Sequence, residues 1–140
     1  MAVHVLAVLA YKEGDRVTSA FLADSVNTNP VIIRRLLLSL QKAGLVETCK
    51  GAGAGSRLSC SPQRINMAAV YRSVEVAETF ASPARKPNAA CPVGQCIRVT
   101  LGRVFASAQM AMERDLAKTT LADVMDAVKA SCACAKKRAS

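Results

Sequence analysis

The sequence has 140 residues, with 19 Lys and Arg against 10 Asp and Glu, a formal net charge of +9 and a hydrophobic fraction of 51%. A chain of this size buries roughly 68–70% of its unfolded surface, which supports one domain with its own core and excludes a scaffold that needs disulfide staples. The apolar content excludes a disordered tail, and the lack of an apolar run of about 18 residues excludes a membrane-spanning helix.

Residues 1–10 are the only stretch that resembles a targeting signal. They lack the basic segment of such a signal, and residues 11–15 are largely polar where a small-residue cleavage site would stand. The sequence therefore predicts a cytoplasmic protein with no membrane partner. In that compartment the six cysteines are expected to be reduced thiols or metal ligands rather than a disulfide framework.

The positive charge is concentrated in residues 29–64. This segment has a net charge of +5, because Glu47 is its only acid and its basic side chains are Arg34, Arg35, Lys42, Lys50, Arg57 and Arg64. Such a density suits a polyanionic partner such as nucleic acid. A solvated basic face without a partner is the alternative, and charge alone does not separate the two.

The first two predicted helices precede this basic segment. Residues 2–11 are predicted to form a helix buried on all sides, and its histidine, His4, is interpreted as a core residue. Thr18 or Ser19 then caps a short helix. The apolar members of this second helix recur at helical spacing and are Phe21, Leu22 and Val26.

A longer, basic helix follows a four-residue turn. Asn29 and Pro30 begin it, because an asparagine side chain caps well and proline is tolerated at the first helical position. It ends at Ala43 and Gly44, where glycine suits a left-handed cap. One face is predicted to be apolar, formed by Ile32, Ile33, Leu36, Leu37 and Leu40. The two helices and their turn predict a helix-turn-helix.

A small hairpin is predicted next. Two strand-like runs, residues 45–50 and 56–60, flank a loop that alternates glycine and alanine. Lys50 and Arg57 make this hairpin a basic finger. Glycine-rich loops also bind nucleotide phosphates, but no Gly-Lys-Ser/Thr follows and the loop leads into a strand, so a nucleotide site is disfavoured.

The second half is predicted to be helical. Residues 62–80 are predicted to form a helix capped by Ser61. The whole chain is predicted to divide into a DNA-binding unit (residues 1–80), a linker (81–93), two helices (94–130) and a basic tail (131–140). The last helix is capped by Thr119 or Thr120. Its inward residues are predicted to be Leu121, Val124, Met125 and Val128.

A long amphipathic helix is predicted over residues 94–118. Its apolar residues recur every three to four positions: Ile97, Leu101, Val104, Phe105, Ala108, Met112 and Leu116. A helix of this length extends about 37 Å, more than a small domain covers alone. The stripe therefore predicts packing against a second copy of the chain.

These segments together resemble the Rrf2 family of bacterial transcription regulators. The resemblance runs from Val3 to about Ala127, and its most specific pieces are NPVIIRRLL at 29–37, KAGLV at 42–46, KGAGAG at 50–55 and CPVGQC at 91–96. It implies a mainly α fold with a small β-hairpin wing, that is, a winged helix-turn-helix plus a long dimerisation helix. It also implies a homodimer that binds a palindromic operator in double-stranded DNA, with repression as the expected output.

Family members that hold an iron-sulfur cluster have three cysteines near the start of the long helix. Cys91 and Cys96 match the first two, whereas Gly102 stands at the third position. An iron-sulfur cluster of the 2Fe-2S type needs four ligands. Three interpretations stay open: a cluster completed by Cys132, Cys134 or a partner chain; reversible, redox-responsive thiol chemistry at the first two cysteines; or inert cysteines. Cys96 is expected to be the more reactive because it lies near a helix N-terminus.

The residues predicted to read bases lie at the start of the basic helix and point away from its core: Thr28, Asn29, Val31, Arg34 and Arg35. Either arginine is expected to bridge guanine O6 and N7, and Val31 to contact a thymine methyl group. Pairing of one arginine with Asp24 is an open alternative. On the hairpin, Lys50, Ser56 and Arg57 are predicted to contact phosphates or the minor groove.

The sequence leaves two other functions open and gives no sign of catalysis. Paired carboxylates, a Ser/His/Asp set and an HExxH motif are not evident, so the sequence predicts no enzyme. A thiol-dependent metal-binding module using Cys91, Cys96, Cys132 and Cys134 remains open, as does a dimeric adaptor whose basic face binds an acidic protein. Cys49 and Cys60 are interpreted as small packing residues of the hairpin.

Overall fold

The computed structural model describes residues 1–51, 53–74, 87–88 and 90–138, with side chains as far as residue 133. Its first elements are three helices, α1 (Ala2–Tyr11), α2 (Ser19–Val26) and α3 (Pro30–Lys42), and two strands, β1 (Val46–Cys49) and β2 (Gly55–Leu58). A short 3-10 helix (Pro62–Arg64) then precedes the last three, α4 (Met67–Val74), α5 (Pro92–Leu116) and α6 (Leu121–Arg138). The order agrees with the predicted mainly α class with a hairpin wing.

Helix α1 is buried on one side only, unlike the prediction. Its core residues share one face and are Ala2, Val5, Leu6 and Leu9. His4 lies on the other side and is exposed, with its Nε2 atom 3.4 Å from the Ser25 hydroxyl. The interpretation of His4 as a core residue was therefore wrong, because the helices that pack on α1 cover a single face of it.

Helices α2 and α3 form the predicted helix-turn-helix, and local hydrogen bonds set their ends. The Thr18 hydroxyl accepts from Phe21 N at 3.2 Å, and Asn29 Oδ1 accepts from Val31 N at 2.8 Å with Pro30 as the first helical residue. Asn27 ends α2 in the left-handed conformation, with φ of 56°. Each cap satisfies a backbone N–H or C=O that the helix itself leaves unpaired.

The predicted core faces of α2 and α3 are each too wide by one residue. Phe21 is exposed, with the Lys12 ammonium 5.4 Å from its ring centroid, and Ile32 is exposed beside the fully buried Ile33. Consecutive helical residues point about 100° apart, so the residue next to the edge of a buried face turns towards solvent.

Strands β1 and β2 form an antiparallel hairpin, referred to below as the wing. Val46 pairs with Leu58 and Cys49 with Gly55. The wing is anchored to the segment before α2 by two backbone hydrogen bonds between Val17 and Ser56, of 2.9 and 2.8 Å. Gly55 permits this approach, because a Cβ atom there would lie 2.9 Å from Arg16 Cβ.

The chain after the wing differs from the single helix predicted over 62–80. The 3-10 turn comes first, and Asn66 then caps α4 by accepting from Ala69 N at 2.9 Å. Residues 75–80, and most of the predicted linker, lie outside the described residues.

The last helix packs back on the first half of the chain. Leu121 is fully buried in its core, and Leu121 N donates to Ile65 O at 2.8 Å. Helix α6 continues to Arg138, so the predicted basic tail is helical as far as the structure describes it. In the described part of the chain, no helix is both long and apolar enough to cross a membrane.

Candidate nucleic-acid interface

The outward face of α3 consists of four exposed residues spaced by four, three and four positions: Val31, Arg35, Leu38 and Lys42. This set is called the recognition face below. It is opposite the buried side of the helix, which is formed by Ile33, Leu37 and Leu40. The sequence prediction missed Leu38, although its position seven residues after Val31 places it on the same side of a helix.

Arg34 lies to one side of the recognition face. Its Nε atom donates to the Ser19 hydroxyl at 3.3 Å. With Gln41 and Lys50 it lines a groove of ≈ 610 Å³ between α3 and the wing. None of the ion pairs among the described residues joins either arginine to Asp24.

The two residues before the helix have structural tasks. The Asn29 side-chain oxygen is engaged in the cap of α3. Thr28 is half-buried, and its backbone N–H donates to Ala23 O at 2.9 Å. The structure thus leaves Val31 and Arg35 as the predicted base-reading residues that belong to the recognition face.

The wing presents fewer basic groups than predicted. Lys50 is exposed at the end of β1, whereas Arg57 Nε lies 2.6 Å from Glu47 Oε1 in an exposed ion pair. Ser56 is only 2% exposed, and its hydroxyl is 2.9 Å from that of Thr48. The prediction that Ser56 contacts a phosphate was therefore wrong, because its strand turns that side chain towards the protein.

Cys91 and Cys96 both lie at the start of α5 and are exposed free thiols. Cys91 is the N-cap residue. The chain folds closely over the first turn of the helix, since a Cβ atom on Gly94 would lie 2.5 Å from Asn88 O. Gly102, at the position of the family's third cysteine, has open space around it.

Few candidate metal ligands accompany these thiols among the described residues. No group of three or more His, Cys, Asp or Glu that could hold a metal ion occurs in the part of the chain that the structure describes. Cys132 is an exposed thiol on α6, and the side chain of Cys134 lies outside the described residues. Cys60 packs against the core, and Cys49 is half-buried on β1.

Helix α5 has no buried residue within the chain, although it is 25 residues long. Its C-terminal half contacts α4, where Gln109 donates to the Tyr71 hydroxyl at 3.2 Å and Arg72 pairs with Glu113 at 3.1 Å. Leu116, predicted for the dimer interface, packs against the chain's own core.

The rest of the predicted stripe divides by exposure. Ile97, Phe105 and Met112 are half-buried, whereas Leu101, Val104 and Ala108 are exposed. Val93 is exposed in line with them, so one side of α5 presents a continuous row called the α5 stripe below: Val93, Ile97, Leu101, Val104 and Ala108.

Comparison with known proteins gives a consistent result. The model of the Rrf2 family, described as an iron-dependent transcriptional regulator, matches residues 1–127. YwnA of Bacillus subtilis (strain 168), named as an HTH-type transcriptional regulator, is 39% identical over 126 residues, which cover 90% of this chain and 92% of that protein.

Two solved structures have the same fold. A crystal structure described as a DNA-binding protein is 38% identical, with a TM-score of 0.71 over 89% of this chain and 95% of that one. CymR, the global cysteine regulator of Bacillus subtilis, has a TM-score of 0.60 at 21% identity over 89% and 90% of the two chains. The winged-helix fold class predicted from the sequence is confirmed, and the chain belongs to the Rrf2 family of DNA-binding transcriptional regulators.

Proposed function

We propose that this chain is a sequence-specific repressor that acts in the cytoplasm as a homodimer on a palindromic operator. The observation that carries the proposal is the position of the recognition face beside the wing. A helix with exposed Arg35 and Lys42 suits the major groove, and a hairpin with Lys50 near its tip suits the adjacent phosphates or minor groove.

The homodimer is supported by the α5 stripe. Exposed apolar rows of this length are rare on monomeric proteins and are covered by a partner in most cases. A second copy is the simplest partner, because a two-fold axis places the same stripe on both sides of the interface. Two recognition helices related by that axis would meet two half-sites of opposite orientation, which is the reason for a palindromic operator.

Control by oxidation is proposed at Cys91 and Cys96. Both thiols are exposed at the N-terminal end of α5. A modification of either thiol would therefore change how this helix packs against the elements next to it. A peroxide would transfer one oxygen atom to the sulfur, leaving a sulfenic acid and water. The family description names iron, but the described residues of one chain supply no set of three ligands, so no step is proposed through a metal.

DNA footprinting and a mobility shift on the region upstream of the chain's own gene test the proposal. We expect a protected palindrome, a dimer by light scattering, and a rise in transcription in cells that lack the protein. Mild peroxide is expected to weaken binding at least several-fold in the wild type but not in a Cys91→Ser/Cys96→Ser variant. Absence of any DNA shift would favour the adaptor function instead.

A further inference from the structure

The recognition face has an unusual chemical content for a surface that reads bases. Two of its residues are aliphatic and strongly exposed, Val31 at 48% and Leu38 at 58%, and the other two, Arg35 and Lys42, are cationic. None of the four carries a hydrogen-bond acceptor.

The side-chain acceptors of α3 and its N-cap are Asn29, Ser39 and Gln41, and none of them belongs to the recognition face. Asn29 Oδ1 accepts from Val31 N. Ser39 is half-buried, and its hydroxyl lies 3.5 Å from Arg35 O. Gln41 lines the groove towards the wing. The face therefore offers donors and methyl groups to DNA, and no side-chain oxygen.

The side chains of the recognition face suit some bases better than others. In the major groove, adenine N6 and cytosine N4 are donors that need an acceptor, whereas guanine offers the acceptors O6 and N7 and thymine offers O4 and a methyl group. A face of donors and methyl groups is complementary to guanine and thymine.

The two adjacent arginines, Arg34 and Arg35, lie on different sides of α3. Arg34 is held by the Ser19 hydroxyl at 3.3 Å and faces the groove between α3 and the wing, where one DNA backbone would pass between the major and minor grooves. Arg35 lies about 100° further round the helix, between Val31 and Leu38 on the recognition face.

We propose that Arg35 reads a guanine while Val31 and Leu38 read the methyl groups of thymines on either side of it, and that Arg34 contacts the DNA backbone. This inference rests on the proposed function of α3 as the recognition helix. Val31 and Leu38 lie about 6 Å and 4.5 Å from Arg35 along the helix at 1.5 Å per residue. The thymines are therefore expected within about two base pairs of the guanine.

The test begins with selection of a binding site from a random DNA pool by the full chain. Each thymine of the selected half-site is then replaced by deoxyuridine, which removes only the methyl group. We expect loss of a contacted methyl to weaken binding about fourfold, the equivalent of one buried carbon at about 0.8 kcal/mol.

Protein variants identify the contact. Val31→Ala is expected to bind thymine and uracil equally at the position that Val31 contacts, and to keep the preference for thymine at the position that Leu38 contacts. Leu38→Ala is expected to show the reverse. Ile32→Ala is the matched control, since Ile32 is 46% exposed, close to the 48% of Val31, but lies off the recognition face. Arg35→Ala is expected to lose preference for the guanine, whereas Arg34→Ala weakens all sequences alike.

The outcomes are distinguishable. Enrichment of a site that tolerates uracil at every position, or that lacks guanine, would overturn this inference and leave the DNA-binding function intact. Loss of preference in Arg34→Ala rather than Arg35→Ala would overturn the division between the arginines. Failure to enrich any sequence would contradict the proposed function itself, and the inference with it.

Discussion

Glu47 and Arg57 face each other across the two strands of the wing, with Arg57 Nε 2.6 Å from Glu47 Oε1. Glu47 is the one acid in residues 29–64, so it neutralises a basic side chain on the hairpin predicted to approach DNA. The two side chains are 48% and 44% exposed, and an exposed pair contributes at most about 1 kcal/mol to folding. The Glu47–Arg57 pair is therefore expected to affect DNA binding more than stability.

We predict that Glu47→Gln strengthens DNA binding on every sequence, because it removes a negative charge and releases Arg57 for phosphate contact. The slope of log K against log salt should steepen by about 0.9 if one further phosphate is neutralised. Affinity measured across a salt series checks this. Asp115→Asn is the control, because it removes an equal charge at the end of α5; an equal gain there would point to net charge alone.

Lys50→Ala is expected to act in the opposite direction. Lys50 is exposed at the end of β1, and a contact with phosphate carries no base information. Binding to specific and random DNA should weaken by a similar factor, and the salt slope should flatten by about 0.9. Competition assays with both kinds of DNA measure this; a loss confined to the specific site would instead assign Lys50 a role in base reading.

Val104→Asp is expected to dissociate the proposed homodimer. Val104 is 56% exposed in the middle of the α5 stripe, where a buried carboxylate without a partner would be costly. Sedimentation should give the mass of one chain, and operator affinity should fall by more than tenfold. Ala106→Asp is the matched control on the opposite side of α5. Equal dissociation by both variants would show that the α5 stripe does not define the interface.

Asp123 makes the stability of the fold depend on pH. Hydrogen bonds from the Thr120 hydroxyl and backbone N–H, at 2.7 and 2.8 Å, hold the pKa of the Asp123 carboxyl below its usual value of 3.8. The charged form is therefore favoured by folding. This contribution is fully present above the pKa of the unfolded chain and is lost as pH falls through the lower folded value.

We accordingly expect Asp123→Asn to lower the melting temperature at neutral pH, with a difference from wild type that narrows as the pH falls below 3.8. Thermal unfolding at several pH values measures it. Asp126→Asn serves as the control one turn later, because Asp126 makes only an exposed pair with Lys129 at 3.6 Å. A difference for Asp123→Asn that widens in acid would contradict the assignment.

The helix ends were predictable because they depend on neighbours in the chain. Asn29 with Pro30 begins α3 as its side-chain chemistry requires, and Thr120 caps α6 together with Asp123. The spacing of apolar residues likewise predicted the helix-turn-helix and the long helix α5. The resemblance of the sequence motifs to the Rrf2 family is confirmed by the family model over residues 1–127.

Side-chain exposure, in contrast, depended on contacts between distant segments. The sequence predicts that Ser56 contacts DNA from the wing, but pairing of β2 with Val17 buries it. Helix α6 follows the long helix in sequence, yet Leu121 packs into the core formed by the first half of the chain.

The sequence by itself therefore determined the helix-turn-helix, the hairpin, the caps of α2, α3 and α6 and the basic segment, since propensity, capping and periodicity act over a few residues. Only the tertiary structure decided which groups of that segment remain accessible. Arg34 and Arg35 are adjacent and chemically identical, and only the packing of α3 against α2 and the wing directs one to Ser19 and the other outward.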